Sequence, residues 1–288
     1  MICHACPRAC GIERTAEHTG FCRVPTDYVI SRAAPHFWEE PCISGLDGSG
    51  TIFFTGCNLG CVFCQNRDIS RGGKGRLLTE DALIAEMYRL RDEEGVHNIN
   101  LVTPSHYAFQ LAHTLEKARL DIPVVWNSSG YDSLDALHAL DGLVQIWLPD
   151  LKYLSPTLAQ RYAHAPDYPE AAKSAIREMV RMAGTPVLDD SGLLRSGVLI
   201  RHLIMPEQVE NTLDVIDWVD ETFPSGQVLF SLMAQYTPMP DMPFPELRRP
   251  ITRQEYDRVI SYLDLSGIGN GYVQDLSAAG TEYIPDFY

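Results

Sequence analysis

No cysteine follows Cys64 in this chain of 288 residues; all eight fall between Cys3 and Cys64. That distribution excludes a disulfide framework, because staples are spread over the loops they close whereas metal ligands cluster. Long apolar runs are missing too. No stretch approaches the roughly 18 residues that a membrane-spanning helix requires, and the chain starts Met1-Ile2-Cys3 without a charged-then-apolar leader. Membrane spanning and secretion are therefore not expected, and a cytoplasmic protein is. Basic charge is scarce: 23 Lys and Arg face 38 Asp and Glu, for a formal net charge of −15. A nucleic-acid partner is not expected, since such proteins carry a basic footprint. No internal repeat or low-complexity tract interrupts the sequence.

What is present is concentrated in the run Gly56-Cys57-Asn58-Leu59-Gly60-Cys61-Val62-Phe63-Cys64-Gln65-Asn66. Three thiolates at this spacing suit an iron–sulfur cluster with one iron left open, or a zinc ion with a fourth ligand from elsewhere. The preceding run Thr51-Ile52-Phe53-Phe54, β-branched and aromatic, reads as a buried strand, so the triplet sits in the loop after a strand end. This arrangement resembles the signature loop of the radical S-adenosylmethionine (SAM) superfamily. The resemblance implies a 4Fe–4S cluster on Cys57, Cys61 and Cys64, SAM chelated by its open iron, and Phe63 packed near the adenine.

A second set, Cys3, Cys6, Cys10 and Cys22, supplies four sulfur ligands, with Gly11 and Gly20 allowing the turns that bring the chain back. Four-sulfur sites suit a second iron–sulfur cluster and zinc alike. His4 and His18 read as bystanders, and Cys42 as a buried free cysteine.

Beyond residue 50 short apolar runs alternate with helical periodicity, the pattern of parallel βα units. Strands are expected at Thr51–Phe54, Asn98–Val102, Val124–Asn127, Leu143–Leu148, Val198–Ile204, Val228–Leu232 and Gly271–Gln274. Helices are expected after the Thr79 cap and at Tyr107–Arg119, Asp132–Leu140, Ala171–Ala183, Val209–Phe223 and Thr252–Leu265. The expected fold is α/β: a partial (β/α)6 TIM-like barrel over residues 46–288, preceded by a small Cys-rich metal-binding segment over residues 1–45. Five prolines between Pro238 and Pro250 read as an ordered excursion over the barrel mouth.

Such a barrel carries its site at the C-terminal strand ends, and those ends are polar. They hold Thr103-Pro104-Ser105-His106, Asn127-Ser128-Ser129-Gly130, Asp150-Leu151-Lys152, Arg201-His202 and Gln235-Tyr236. SAM presents a carboxylate, a ribose diol, an adenine edge and a sulfonium, which call for such groups. Regular alternation turns Arg201 and His202 to opposite faces, and Arg201 is the one expected to face the site. Asp150 with Lys152 has a plainer reading as a surface ion pair, and His106 and His113 as solvated histidines.

Asp150-Leu151-Lys152 resembles the strand end of the glycyl-radical-enzyme activating enzymes, the family of the pyruvate formate-lyase activase. That resemblance implies that Lys152 and Arg201 contact the SAM carboxylate, that Asp150, Asn127 and Ser129 are polar groups of the SAM site, and that Tyr236 stands at the rim. The whole chain resembles the PflX-like, activase-related subgroup through Cys6-Pro7-Arg8-Ala9-Cys10-Gly11, Glu39-Glu40-Pro41 before Ile43-Ser44-Gly45, Cys64-Gln65-Asn66, Trp126-Asn127-Ser128-Ser129-Gly130-Tyr131 and Met233-Ala234-Gln235-Tyr236. The activase Gly-Gly-Glu segment is replaced by Thr103-Pro104-Ser105-His106, which makes Thr103 and Ser105 the candidates for its role with the SAM amino group.

The implied activity is an activase-like oxidoreductase that reductively cleaves SAM to methionine and a 5′-deoxyadenosyl radical. The radical abstracts hydrogen from a protein glycine, a peptide or a small metabolite. Its electrons come from a low-potential donor such as flavodoxin or ferredoxin. The alternative is an iron–sulfur or zinc protein for electron transfer or assembly, without SAM cleavage.

Overall fold

A computed structural model describes residues 2–72, 74–278, 280 and 287. In chain order the elements are β1 (Tyr28–His36), α1 (Pro41–Ser44), β2 (Ser49–Phe54), α2 (Arg67–Ser70), β3 (Arg76–Leu78), α3 (Glu80–Asp92), β4 (Ile99–Val102), α4 (Ala108–Ala118), β5 (Val124–Ser128) and α5 (Leu134–Ala139). They continue with β6 (Ile146–Pro149), α6 (Pro156–Ala163), α7 (Tyr168–Ala183), β7 (Val187–Leu188), β8 (Leu194–Leu203), α8 (Val209–Thr222), β9 (Leu229–Met233), α9 (Arg253–Leu263) and β10 (Gly271–Val273).

The strands β2, β4, β5, β6, β8, β9 and β10 lie side by side in that order and pair parallel throughout. Each matches a strand expected from the sequence. β4, β5 and β6 are buried along their whole length, as parallel strands covered on both faces must be. Helices begin where their caps dictate. Thr79 accepts from the Ala82 backbone N–H ahead of α3, Ser133 and Ser155 do the same for α5 and α6, and Thr252 forms a capping box with Glu255 ahead of α9. The architecture is the expected α/β partial barrel.

Two alternating sets of residues divide the core. Leu101, Trp126, Trp147 and Ile200 pack outward against the helices, meeting Leu83, Leu111, Ile176 and Ile216. On the inner face Val125, Ile146, Leu148, Leu199 and Leu229 close on Cys42 and Ile43 of α1, which plugs the barrel with apolar atoms. Cys42 is thus the buried free cysteine that the sequence suggests. Two residues further along the same strands, alternation places Asn127, Asp150, Arg201 and Ser231 on this inner face, directly beyond the plug.

Some expectations need correction. β1 and β3 add antiparallel to the β2 edge of the sheet, and neither was legible as a strand. β1 is half-exposed and carries Arg32 and Pro35, which an edge strand tolerates but which break the apolar run used to recognise one. Residues 28–36 therefore pair into the main sheet although they lie in the segment 1–45. His106 is buried, its Nε2 facing the Thr55 carbonyl at 3.0 Å; only His113, paired with Glu80, is the solvated histidine expected. The proline-rich excursion packs between α2 and α6, with Tyr162 Oη donating to Glu246 at 2.7 Å and Arg67 to the Pro240 carbonyl at 3.4 Å.

Candidate active site

The triplet loop leaves β2 through Thr55 and Gly56. Gly56 has φ 83°, and a Cβ there would collide with the Cys22 carbonyl oxygen, so only glycine lets the N-terminal segment lie this close. Five further hydrogen bonds fix the loop. Asn58 Nδ2 donates to the Tyr131 carbonyl at 2.6 Å, the Val62 N–H to the Tyr162 carbonyl at 2.9 Å, and Arg71 to the Gly60 carbonyl at 2.8 Å. Arg8 donates to the Asn58 and Leu59 carbonyls at 2.9 and 3.1 Å.

Cys57, Cys61 and Cys64 all line one cavity of about 490 Å³. Burial pushes the Cys57 and Cys61 thiols up, Cys61 to about 12, with the neighbouring cysteines adding to the rise. Thiolates on this loop therefore need a cation to hold them. Among the described residues no three His, Cys, Asp or Glu groups stand in metal-binding geometry. The donor chemistry nevertheless fits a 4Fe–4S cluster: three thiols on one pinned loop facing one cavity.

Seven residues expected at the SAM site line the same cavity: Phe63, Asn127, Ser129, Asp150, Lys152, Arg201 and Tyr236. Phe63 and Tyr236 stand together, ring centroids 6.0 Å apart, and Tyr236 Oη is anchored on the Leu247 carbonyl at 2.8 Å. Ser129 presents a buried hydroxyl without a hydrogen-bond partner. Lys152 Nζ donates to Asp150 Oδ2 at 2.7 Å. This is a partly buried pair inside the cavity and not the surface pair of the plainer reading. Burial works against the Asp150 charge, yet Arg201 and Lys152 hold its carboxyl below the usual range. Burial likewise opposes the Lys152 charge, and Asp150 and Cys61 hold it above.

Arg201 is the hub. Its Nε donates to Asp150 Oδ1 at 2.9 Å, Nη1 to Glu39 Oε2 at 2.8 Å and Nη2 to Asn127 Oδ1 at 2.7 Å. Its neighbour His202 faces away, between the Leu151 carbonyl at 2.6 Å and Thr212 Oγ1 at 3.0 Å. Of the two candidates for the missing Gly-Gly-Glu role, Thr103 lines the cavity whereas Ser105 does not; Ser105 hydrogen-bonds the buried Asp132 instead.

Glu39 and Glu40 were missed as site residues. Both line the cavity, and Glu39 Oε1 accepts from Asn100 at 3.2 Å and Asn127 at 3.0 Å. The signal in the sequence is two adjacent carboxylates before Pro41, ahead of the first expected strand and so away from the strand ends where a barrel carries its site.

In the N-terminal set, Cys6 and Cys22 are buried and Cys3 lies near both, adding to the rise in their pKa values behind the larger effect of burial. The Cys10 thiol packs against Gly20.

The model of the radical SAM superfamily matches residues 51–219. An uncharacterized protein of Methanocaldococcus jannaschii is 29% identical over 267 residues, covering 90% of this chain and 73% of its own. Among solved structures, Streptococcus suis SuiB bound to S-adenosylmethionine superposes with a TM-score of 0.50 at 14% identity, over 76% of this chain and 48% of SuiB, so the chain spans about half of that protein. Methylornithine synthase (PylB) superposes with a TM-score of 0.50 at 13% identity, over 75% of this chain and 68% of its own. The two superpositions establish a common fold. With a family model covering more than half of its length and including the cysteine triplet, this chain belongs to the radical SAM superfamily.

Proposed function

We propose that this radical SAM enzyme reductively cleaves SAM and uses the resulting 5′-deoxyadenosyl radical to abstract hydrogen from a protein, peptide or small-molecule substrate. One observation carries the reading: the three triplet thiols and seven expected SAM contacts share one cavity. The cluster, when bound, supplies the electron that breaks the carbon–sulfur bond. The chain's own residues bind, orient and exclude water. Lys152, whose Nζ is engaged by Asp150 alone among the described residues, is suited to the SAM carboxylate. Arg201 already serves Asp150, Glu39 and Asn127, so its role is better read as positioning those acceptors. Phe63 and Tyr236 offer an aromatic wall for the adenine, and Asn127, Ser129 and Asp150 offer polar contacts to the rest.

The activase-like, PflX-like assignment rests on the sequence motifs, and with it go a cytoplasmic setting and a flavodoxin or ferredoxin as donor. Cys3, Cys6, Cys10 and Cys22 would hold a second iron–sulfur cluster or a zinc ion. The segment 1–45 would then be a metal-bearing appendage that shares its last strand with the barrel.

The deciding test is anaerobic reconstitution with SAM and a strong reductant, measuring 5′-deoxyadenosine. Formation by the wild type and its loss in Cys61→Ala is the expected outcome. SAM left intact by a fully cluster-loaded protein that binds it would favour the electron-transfer or assembly reading.

A further inference from the structure

Among the described residues, the floor of the reaction cavity holds three carboxylates, Glu39, Glu40 and Asp150, against two cations, Arg201 and Lys152. Glu39 is satisfied by Arg201, Asn100 and Asn127, and Asp150 by Arg201 and Lys152. Glu40 is left over. Its side chain is 8% exposed, its Oε2 stands 3.9 Å from the nearest Arg201 nitrogen, and that oxygen has no hydrogen-bond partner. Asn100 Oδ1, on the amide that donates to Glu39, is also buried and unpartnered. Both orphans are acceptors. Glu40 lines the cavity, so a donor for its unpartnered oxygen can reach it from there.

We propose that Glu40, backed by Glu39, is a substrate-recognition site for a primary ammonium group, so that the enzyme acts on an amine-bearing substrate held at the barrel floor. The proposal rests on reading this cavity as the reaction chamber. A buried carboxylate is stable when paired and costly when not, and an ammonium group brings three N–H donors and the missing positive charge. A carboxylate-bearing or neutral ligand would leave the imbalance in place. Burial pushes the Glu40 carboxyl above its usual range; Arg201 pulls against this without reversing it, and Glu39 adds to the rise. A bound cation would reverse that rise. Ser231 lines the same cavity beside Glu40 and favours the ionised carboxylate, the smallest of the influences on it.

The test is calorimetric binding to the cluster-loaded protein in the presence of SAM, using n-butylamine, n-butanol and butyrate as probes of equal length and different charge. The wild type should bind the amine and neither of the others. Glu40→Gln, nearly isosteric and neutral, should weaken the amine by about tenfold or more, the size expected when a buried charge-assisted contact is lost. Glu40→Asp, which keeps the charge, should retain the preference for amine. Because Glu40→Gln removes a buried charge that only a 3.9 Å approach to Arg201 offsets, it should melt no lower than the wild type in the absence of amine, which checks that it folds. The proposal is overturned if butanol or butyrate binds as tightly as the amine, or if Glu40→Gln leaves amine binding unchanged. It is also overturned if that variant weakens SAM while sparing the amine, which would assign Glu40 to the SAM ammonium. Failure of the wild type to bind SAM at all would instead count against the proposed function.

Discussion

At the residue scale, neighbours on one strand take opposite tasks. Arg201 turns into the cavity and organises its carboxylates, whereas His202, one position on, is buried among the outer packing. Burial lowers the His202 pKa from 6.5 to about 4, despite the Leu151 carbonyl that favours the charged ring. The sign follows from linkage: the unfolded state takes up a proton first as pH falls. The contribution of His202 is therefore fully present above its unfolded pKa and is lost progressively towards pH 4. His202→Asn should make the urea midpoint less sensitive to pH, reducing the stability lost between about pH 7.5 and 5.5 by about 1 kcal/mol. An unchanged pH dependence in that variant would mean that the ring is not held neutral. Arg201 and His202 were separable from sequence because strand alternation is strict. Glu40 was not, because its neighbours Arg201 and Ser231 lie far along the chain.

At the element scale, Arg8 ties the short N-terminal segment to the triplet loop. Arg8 lies over the Phe21 ring at 3.9 Å and donates to carbonyls of the triplet loop and, at 2.9 Å, to Ala163 at the end of α6. It therefore caps the C-terminal carbonyls of α6, where a cation is favoured, while fixing the loop that bears Cys57 and Cys61. Arg8→Ala should cost about 2 kcal/mol, the scale of hydrogen bonds from a charged donor. Limited proteolysis should then cut residues 1–25 faster while the barrel fragment persists; equal cleavage rates would show that the segment is held elsewhere. The sequence exposed Arg8 as part of a Cys-Pro-Arg motif. It did not reveal its partners, which are backbone carbonyls and leave no mark in residue identity.

At the scale of the whole molecule, β1 joins the N-terminal segment to the barrel by pairing along β2 from Ile30 to His36. Removing residues 1–45 would bare the β2 edge next to the cluster loop, and an unprotected, largely apolar edge strand is prone to association. A chain of residues 46–288 should therefore aggregate on expression, as read by size-exclusion chromatography. A monodisperse, folded product would show that the barrel stands without β1. No helix among the described residues is long and apolar enough to cross a membrane.

The sequence by itself determined the parallel βα frame, the triplet loop and the polar strand ends, because those signals are local: short continuous apolar runs, capping residues, and cysteine spacing within a single loop. Even Asn127, Asp150 and Arg201 could be assigned to one face, since each lies two residues beyond an inward apolar neighbour on its own strand. Only the tertiary structure decided which charges meet. Arg201 joins Glu39 across 162 positions of the chain and Asp150 across 51. The spare carboxylate on Glu40 emerges only when every cation on the floor has been matched to its partner. Local patterns fix where a side chain points; charge balance in a cavity is a sum over strands, and it exists only once the sheet has curved to bring them together.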